Sequence, residues 1–431
     1  MKNRLVRPSV ALAALVGLAL AAVSLSSCVT GKSGPQPVTL KDTFKKDFRV
    51  GVAVNTGQAT DSTIRSDNVN RTQEEVDKDI ALVKTQFNQI SPENDLKWAL
   101  VQPYEGSNGY NFVPADAYMN FGVSNHMFIV GHTLVWHSQN PSWLFLATNG
   151  FPPADWKPGL PVSAPPRRGG GGGFGGGFGR GRGPAAAPAT RDQLLARLHD
   201  HISTVVGRYK GKIQVWDVVN EALNDSTNAT DTNWFHSSPW MTIIGPEVIV
   251  KAFQWAHEAD PNAILRYNDF SVENPPKRAR LIAMVKWLQS QHVPIGAIGL
   301  QTHANLTWPS AQLEDEALTD IEQLGLPIHI TELDINGAQR GQRNQSADVN
   351  TVANLRGGPM VSAADQKLAD EYTVLFNAFV KHHHSVKVVT FWGANDGVSW
   401  IGYGHPLLFD TNDLPKPAFD AVINTAAAQP K

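Results

Sequence analysis

Cysteine is nearly missing from this chain of 431 residues: Cys28 stands alone. One thiol cannot close a disulfide within the chain and cannot supply a thiolate metal cluster. Excess charge is missing too, because 37 Lys and Arg stand against 39 Asp and Glu, for a net charge of −2. That balance lacks the broad basic field by which proteins gather nucleic acid, so no nucleic-acid partner is expected. Long apolar runs are scarce, and the run at residues 10–23 is too short to span a bilayer.

The N-terminus gives the lone cysteine a use. Lys2, Arg4 and Arg7 precede the apolar run, which is the charge order of an export signal. The run ends in Leu25-Ser26-Ser27-Cys28, which resembles a bacterial lipobox, where the cysteine becomes the lipid-modified first residue of the mature chain. On this reading residues 1–27 are a lipoprotein signal peptide and Cys28 is the lipid attachment point. Residues 28–43 form a flexible tether, and the protein is exported and anchored to a membrane. Val29 after the cysteine points to the outer membrane, with the periplasmic or cell-surface side left open.

The rest of the chain alternates short β-rich runs with stretches of helical period, the signature of βα units on a parallel sheet. Strands are expected at 49–54, 89–93, 128–135, 213–219, 263–267, 297–301, 327–331 and 386–391. Helices are expected at 191–209, 276–291 and 365–382. Eight repeats fit an α/β fold with a single (β/α)8 TIM barrel over residues 44–428. A doubly wound open sheet is the alternative, but no Gly-rich phosphate turn follows the first strand. Eleven of the 36 glycines crowd into residues 169–183, among Phe174, Phe178 and flanking prolines. Such a stretch buries too little to offset the entropy of ordering it, so residues 150–190 are expected to be a disordered insertion after the third strand.

In a parallel barrel the carboxyl ends of all strands face one mouth, so residues there converge however far apart they lie in sequence. These ends are rich in polar and aromatic groups: Glu93-Asn94-Asp95-Leu96-Lys97-Trp98, His132 through His137, Asn220-Glu221, Tyr267-Asn268-Asp269, Gln301-Thr302-His303, Glu332-Leu333-Asp334 and Trp392. Paired carboxylates on separate strands suit glycoside hydrolysis, in which one protonates the leaving oxygen and the other attacks the anomeric carbon. Glu221 and Glu332 are the candidates, and Asn220 can donate to a sugar 2-hydroxyl. Retention of configuration would set the two carboxyls about 5–5.5 Å apart, inversion about 6.5–9.5 Å. Of the 12 tryptophans, Trp98, Trp136, Trp392 and Trp400 fall at strand ends or in the loops beyond, where flat faces can bind sugars. Trp255 and Trp287 lie in helical patterns and read as core packing. His382-His383-His384 lies far from the mouth and reads as a solvated cluster.

The segments G-H-T-L-V-W-H-S-Q, W-D-V-V-N-E, I-T-E-L-D-I and E-N-D-L-K-W resemble, in order and spacing, the motifs of glycoside hydrolase family 10, the endo-1,4-β-xylanases. The resemblance covers nearly all of residues 44–425. It implies a (β/α)8 barrel, retaining endo-hydrolysis of xylan or xylo-oligosaccharides, no cofactor and no metal; a monomer is expected. It further implies Glu221 as acid/base, Glu332 as nucleophile, and His303 hydrogen-bonded to the nucleophile. Glu93, Asn94, Lys97, His132 and Trp136 would hold the glycone sugars, and Asn220 and Gln301 the sugar at the cleavage point. Trp392 and Trp400 would close over it, with Tyr267 toward the leaving group. Leu96 departs from the usual Met, and Thr302 from a small residue. A retaining endoglucanase or mixed xylanase/cellulase remains an alternative, as does a carbohydrate-binding lipoprotein without activity.

Overall fold

Nine parallel strands form in the computed structural model, which describes residues 38–63, 70–160, 187–338 and 362–427. They are β1 (Arg49–Val54), β2 (Gln89–Pro92), β3 (Phe128–Gly131), β4 (Val215–Asn220), β5 (Ile264–Asp269), β6 (Ala297–Leu300), β7 (His303–Asn305), β8 (Ile328–Asn336) and β9 (Val386–Phe391). Neighbours pair in sequence order from β1 to β6, β6 pairs with β8, β8 with β9, and β9 with β1. Eight strands therefore close a (β/α)8 barrel, and β7 is a short extension laid along the far half of β8.

The helices form where the apolar stripe and the caps agree. Arg191–Arg208 begins on Thr190, whose hydroxyl accepts from the Gln193 amide while Gln193 Oε1 accepts from the Thr190 amide. Such a capped start stabilises a helix by about 1 kcal/mol. Leu194, Leu198, Ile202 and Val205 are wholly buried against the sheet. Close approach explains one strand glycine: a Cβ on Gly131 would sit 2.3 Å from the Trp216 ring of β4.

The barrel interior below the mouth is polar. Arg266 of β5 grips Asp217 of β4 with Nε and Nη2 at 2.6 and 2.9 Å, and its third nitrogen lies 3.0 Å from His329 Nδ1 of β8. All three side chains are buried. Burial pushes the Asp217 carboxyl up, but Arg266 and His132 outweigh it and hold Asp217 down at about 2.

Four expectations change. The third strand ends at Gly131, and beyond it only Val135 rejoins the sheet through a bridge to Val219. Residues 40–43, expected to belong to the flexible tether, are instead ordered: Leu40–Thr43 is helical, Leu40 is buried and its amide donates to Gln86 Oε1 at 3.0 Å. The flanks of the expected insertion are tied down. Gly150 donates to Glu105 Oε2, Trp156 packs edge-on to Tyr104, and Ala147 and Ala189 bond to Ala187 and Phe145 across the gap. Residues 161–186, the heart of that segment, lie outside the described residues, as do the expected signal peptide at 1–27 and Cys28. Finally, His382 is not solvated, because it is buried between Asp315 and Glu322 at 2.9 and 3.0 Å.

Candidate active site

The two candidate carboxylates come from β4 and β8 and are joined through β5. Glu221 directly follows β4, where the ladder to β5 is irregular between Asp217 and Val219. Its φ of 55° is left-handed, a costly region for a residue with a long side chain. Two bonds from β5 hold that conformation: the Glu221 amide donates to Asn268 O at 2.9 Å, and the next amide, of Ala222, donates to the Tyr267 hydroxyl at 3.1 Å. Glu332 sits in mid-β8, with its amide bonded to Gln301 O at 3.1 Å.

One amide group serves both. Asn268 Nδ2 donates to Glu332 Oε1 at 2.8 Å and to Asn220 Oδ1 at 2.9 Å, and Asn220 Nδ2 donates to Glu221 Oε1 at 3.2 Å. Gln301 Nε2 closes the ring, donating to Glu221 Oε1 at 2.9 Å and to Asn220 Oδ1 at 3.2 Å. Asn268 is itself fixed by Thr331 Oγ1, which donates to its Oδ1 at 2.6 Å. Gly299 lies flush beneath it, where a Cβ would stand 2.3 Å from Asn268 Oδ1.

The other oxygen of each carboxylate meets a different chemistry. Trp136 Nε1 donates to Glu221 Oε2 at 2.8 Å. His303 Nε2 stands 3.3 Å from Glu332 Oε2, a charge contact without hydrogen-bond alignment, while His303 Nδ1 bonds Asp334 Oδ1 at 3.0 Å. Trp400 Nε1 donates to the other Asp334 oxygen at 2.7 Å, and its ring packs edge-on to His303. Burial disfavours a charged imidazole, yet Asp334 and then Glu332 carry His303 up to about 10. For Glu332 burial again pulls one way, but His303 and His132 win and hold its carboxyl below the usual value. The chain Asp334–His303–Glu332 thus keeps Glu332 ionised near neutral pH.

The remaining residues gather beside these. Lys97 Nζ donates to Asn94 Oδ1 at 3.0 Å and lies 5.1 Å above the Trp136 ring. His132 Nδ1 bonds Asp217 at 3.0 Å, and Trp392 packs edge-on to His132. Glu93, at the end of β2, is nearly buried, its amide donating to Val54 O. Such a set offers charged, amide and aromatic groups to hydroxyl-rich ligands.

Two aromatic expectations are corrected. Tyr267 does not face a leaving group: its hydroxyl donates to Asp269 and accepts from the Ala222 amide, and the side chain is fully buried. Trp98 is a core packer, stacked 3.7 Å from the His201 ring, 5.6 Å from that of Trp240, with Nε1 donating to Gln102. Asn268, Asp217 and Asp334 carry no expected role in the sequence reading, although strand alternation points to two of them. Asn268 shares a face of β5 with Arg266, which points into the barrel, and Asp334 shares a face of β8 with Glu332.

A closed (β/α)8 barrel with two buried carboxyls on separate strands, joined by an asparagine pair and flanked by amides and indoles, is the architecture of a glycoside hydrolase. The chain belongs to glycosyl hydrolase family 10, whose sequence model matches residues 39–157 and 182–425 and skips most of the Gly-rich segment. It is 33% identical over 413 residues to a β-1,4-xylanase of Dictyoglomus thermophilum, covering 94% of this chain and 96% of that one. Among solved structures it is similar to a GH10 endoxylanase from a sugarcane soil metagenome, at 33% identity and TM-score 0.70, over 90% of this chain and 100% of the other. An intracellular xylanase of Thermoanaerobacterium saccharolyticum, solved as a mutant with xylotetraose, is 31% identical with TM-score 0.68, over 90% and 98% of the two chains.

Proposed function

We propose that the protein is a retaining endo-1,4-β-xylanase that cuts within xylan chains, with Glu332 as nucleophile and Glu221 as acid/base. In the first step a Glu332 carboxylate oxygen attacks the anomeric carbon as its bond to the leaving oxygen breaks, and Glu221 gives that oxygen a proton. The product is a glycosyl ester on Glu332. Water then attacks the same carbon, Glu221 takes its proton, and Glu332 leaves as carboxylate, so that two inversions give net retention. His303, held by Asp334, keeps Glu332 ionised before attack and stabilises it on departure. Asn220 and Gln301 orient Glu221, while Glu93, Asn94, Lys97 and His132 hold the glycone sugars under Trp392 and Trp400.

The observation that carries this reading is the Asn220–Asn268 bridge, which ties both carboxylates to one rigid group. The test is the first product formed from xylan in an NMR tube. The β-anomer should appear first and mutarotate afterwards; initial α-anomer would sink the retaining mechanism. Glu332→Ala should lose nearly all hydrolysis while remaining folded, even with an activated aryl xylobioside. Glu221→Ala should hurt substrates with poor leaving groups far more than those with good ones. A preference for carboxymethylcellulose over xylan would overturn the substrate assignment.

We also propose that Cys28 carries a lipid that anchors the enzyme to the bacterial outer membrane. The lipobox-like Leu25-Ser26-Ser27-Cys28 supports this reading. Labelled palmitate should enter the wild type and not Cys28→Ala; equal labelling of both would refute it.

A further inference from the structure

A small, partly open pocket beside Glu221 has walls that include Trp136, His137, Glu221, His236 and Trp240. Two of these are histidines that the mechanism above does not use. His137 follows Trp136 in the loop after β3, and its Nδ1 stands 3.9 Å from Glu221 Oε2, beyond hydrogen-bond reach. His236 comes from the loop after β4 and stacks on His137, with ring centroids 4.7 Å apart and planes 28° from parallel. Its position is fixed by its own amide, which donates to Ala222 O at 2.8 Å, next to Glu221 in the chain. Both Nδ1 atoms are buried without a protein hydrogen-bond partner. Two imidazoles stacked in this way beside a carboxyl that must gain and lose a proton in each turnover are poorly explained by packing alone.

We propose that His236 is a positioning residue for the acid/base step: its ring holds the His137 imidazole beside the Glu221 carboxyl and limits the access of water to that contact. The inference rests on the assignment of Glu221 as acid/base. The charged and titratable groups facing His236 are His137 from the loop after β3, Glu221 and Asp225 from the loop after β4, and Lys277 from the helix Pro275–Ser290. Lys277 is itself neutralised by Asp225 and Asp269, both at 2.7 Å. Burial, and then His137, hold the His236 imidazole below its usual value, so near neutral pH it is an uncharged cover. Removing that ring frees the His137 imidazole to move away from Glu221 Oε2, 3.9 Å from its Nδ1, and admits water beside the carboxyl, and hydration favours the charged form of a carboxyl group. The proton needed for the first step would then be lost at lower pH.

The test is the alkaline limb of kcat/KM against pH, which reports the essential acid of the free enzyme. With an aryl xylobioside of poor leaving group, His236→Ala and His236→Asn should move that limb down by about half to one pH unit. His236→Phe, which keeps a flat ring, should leave it within about 0.2 unit of wild type. An unmoved limb in the two ringless variants overturns the proposal, and so does an equal shift in the phenylalanine variant. Loss of thermal stability with no change in the limb would mark His236 as merely structural. Glu221→Ala, run in parallel on a substrate with a good leaving group, separates the two claims. Persistence of the limb there refutes the role of Glu221, whereas its loss there with no shift in His236→Ala refutes only the role of His236.

Discussion

Replacing Asp334 by Asn removes a charge and keeps the shape, so its effects can be worked out atom by atom. In the wild type one Asp334 oxygen accepts from Trp400 and the other faces His303 Nδ1. An asparagine there has one oxygen and one NH2. If the oxygen keeps Trp400, the NH2 points at Nδ1, which must give up its proton; the opposite flip sets two donors against each other at Trp400. Both choices disfavour the imidazolium. Asp334 is the larger of the two attractions that lift His303 from 6.5 to about 10, a span of about 5 kcal/mol in all. Losing the larger attraction should remove more than half of that span and bring His303 well down toward its ordinary value.

The sign follows from linkage. A raised histidine contributes stability that is fully present below about 6.5 and is lost as pH rises through the folded value. The penalty of Asp334→Asn should therefore be largest, about 3 kcal/mol, below pH 6.5, and should shrink to a few tenths above about pH 10. Imidazole NMR gives the titration directly, and denaturant unfolding at pH 6 and pH 10 gives the stability difference. A His303 that still titrates within half a unit of wild type, or a penalty independent of pH, would refute the reasoning.

Other perturbations probe other parts of the site. Gly299→Ala places a methyl 2.3 Å from Asn268 Oδ1 and should displace the bridge; a destabilisation of about 1–3 kcal/mol is expected, with kcat falling at least about tenfold. Wild-type activity in a folded Gly299→Ala protein would show that the bridge is dispensable. Arg266→Met strands a buried Asp217 carboxylate and should cost about 3–5 kcal/mol by chemical denaturation, much of it recovered in a double variant with Asp217→Leu. In the wild type Asp217, held down at about 2, contributes about 2 kcal/mol above its unfolded value of 3.8. That contribution should disappear as pH falls from about 4 through about 2, and an acid-unfolding curve for Asp217→Asn parallel to wild type would contradict it.

The sequence made some features legible and hid others for physical reasons. Strand rhythm and strand-end chemistry were visible because period-two runs and carboxylates after apolar segments are local signals, so the barrel was expected from residues alone. Tyr267, and not Asn268, entered the site through the family resemblance. The alternation of β5, with Arg266 inside, would have favoured Asn268. Trp98 was misjudged because position in the chain does not reveal what covers an indole; His201, about a hundred residues away in sequence, does so here. The Leu40–Thr43 helix was hidden by its brevity, since four residues carry no periodicity. The His137–His236 stack joins two loops, and no local pattern could have announced it.

Asn268 holds one carboxylate directly and the other through Asn220. Any event that loosens the end of β5 disengages the attacking group and the proton donor together. Partial heat damage should therefore produce a mixture of fully competent and fully dead molecules, with no weakened intermediate class. Surviving activity would fall in amplitude while its KM, pH profile and leaving-group sensitivity stayed those of the intact enzyme.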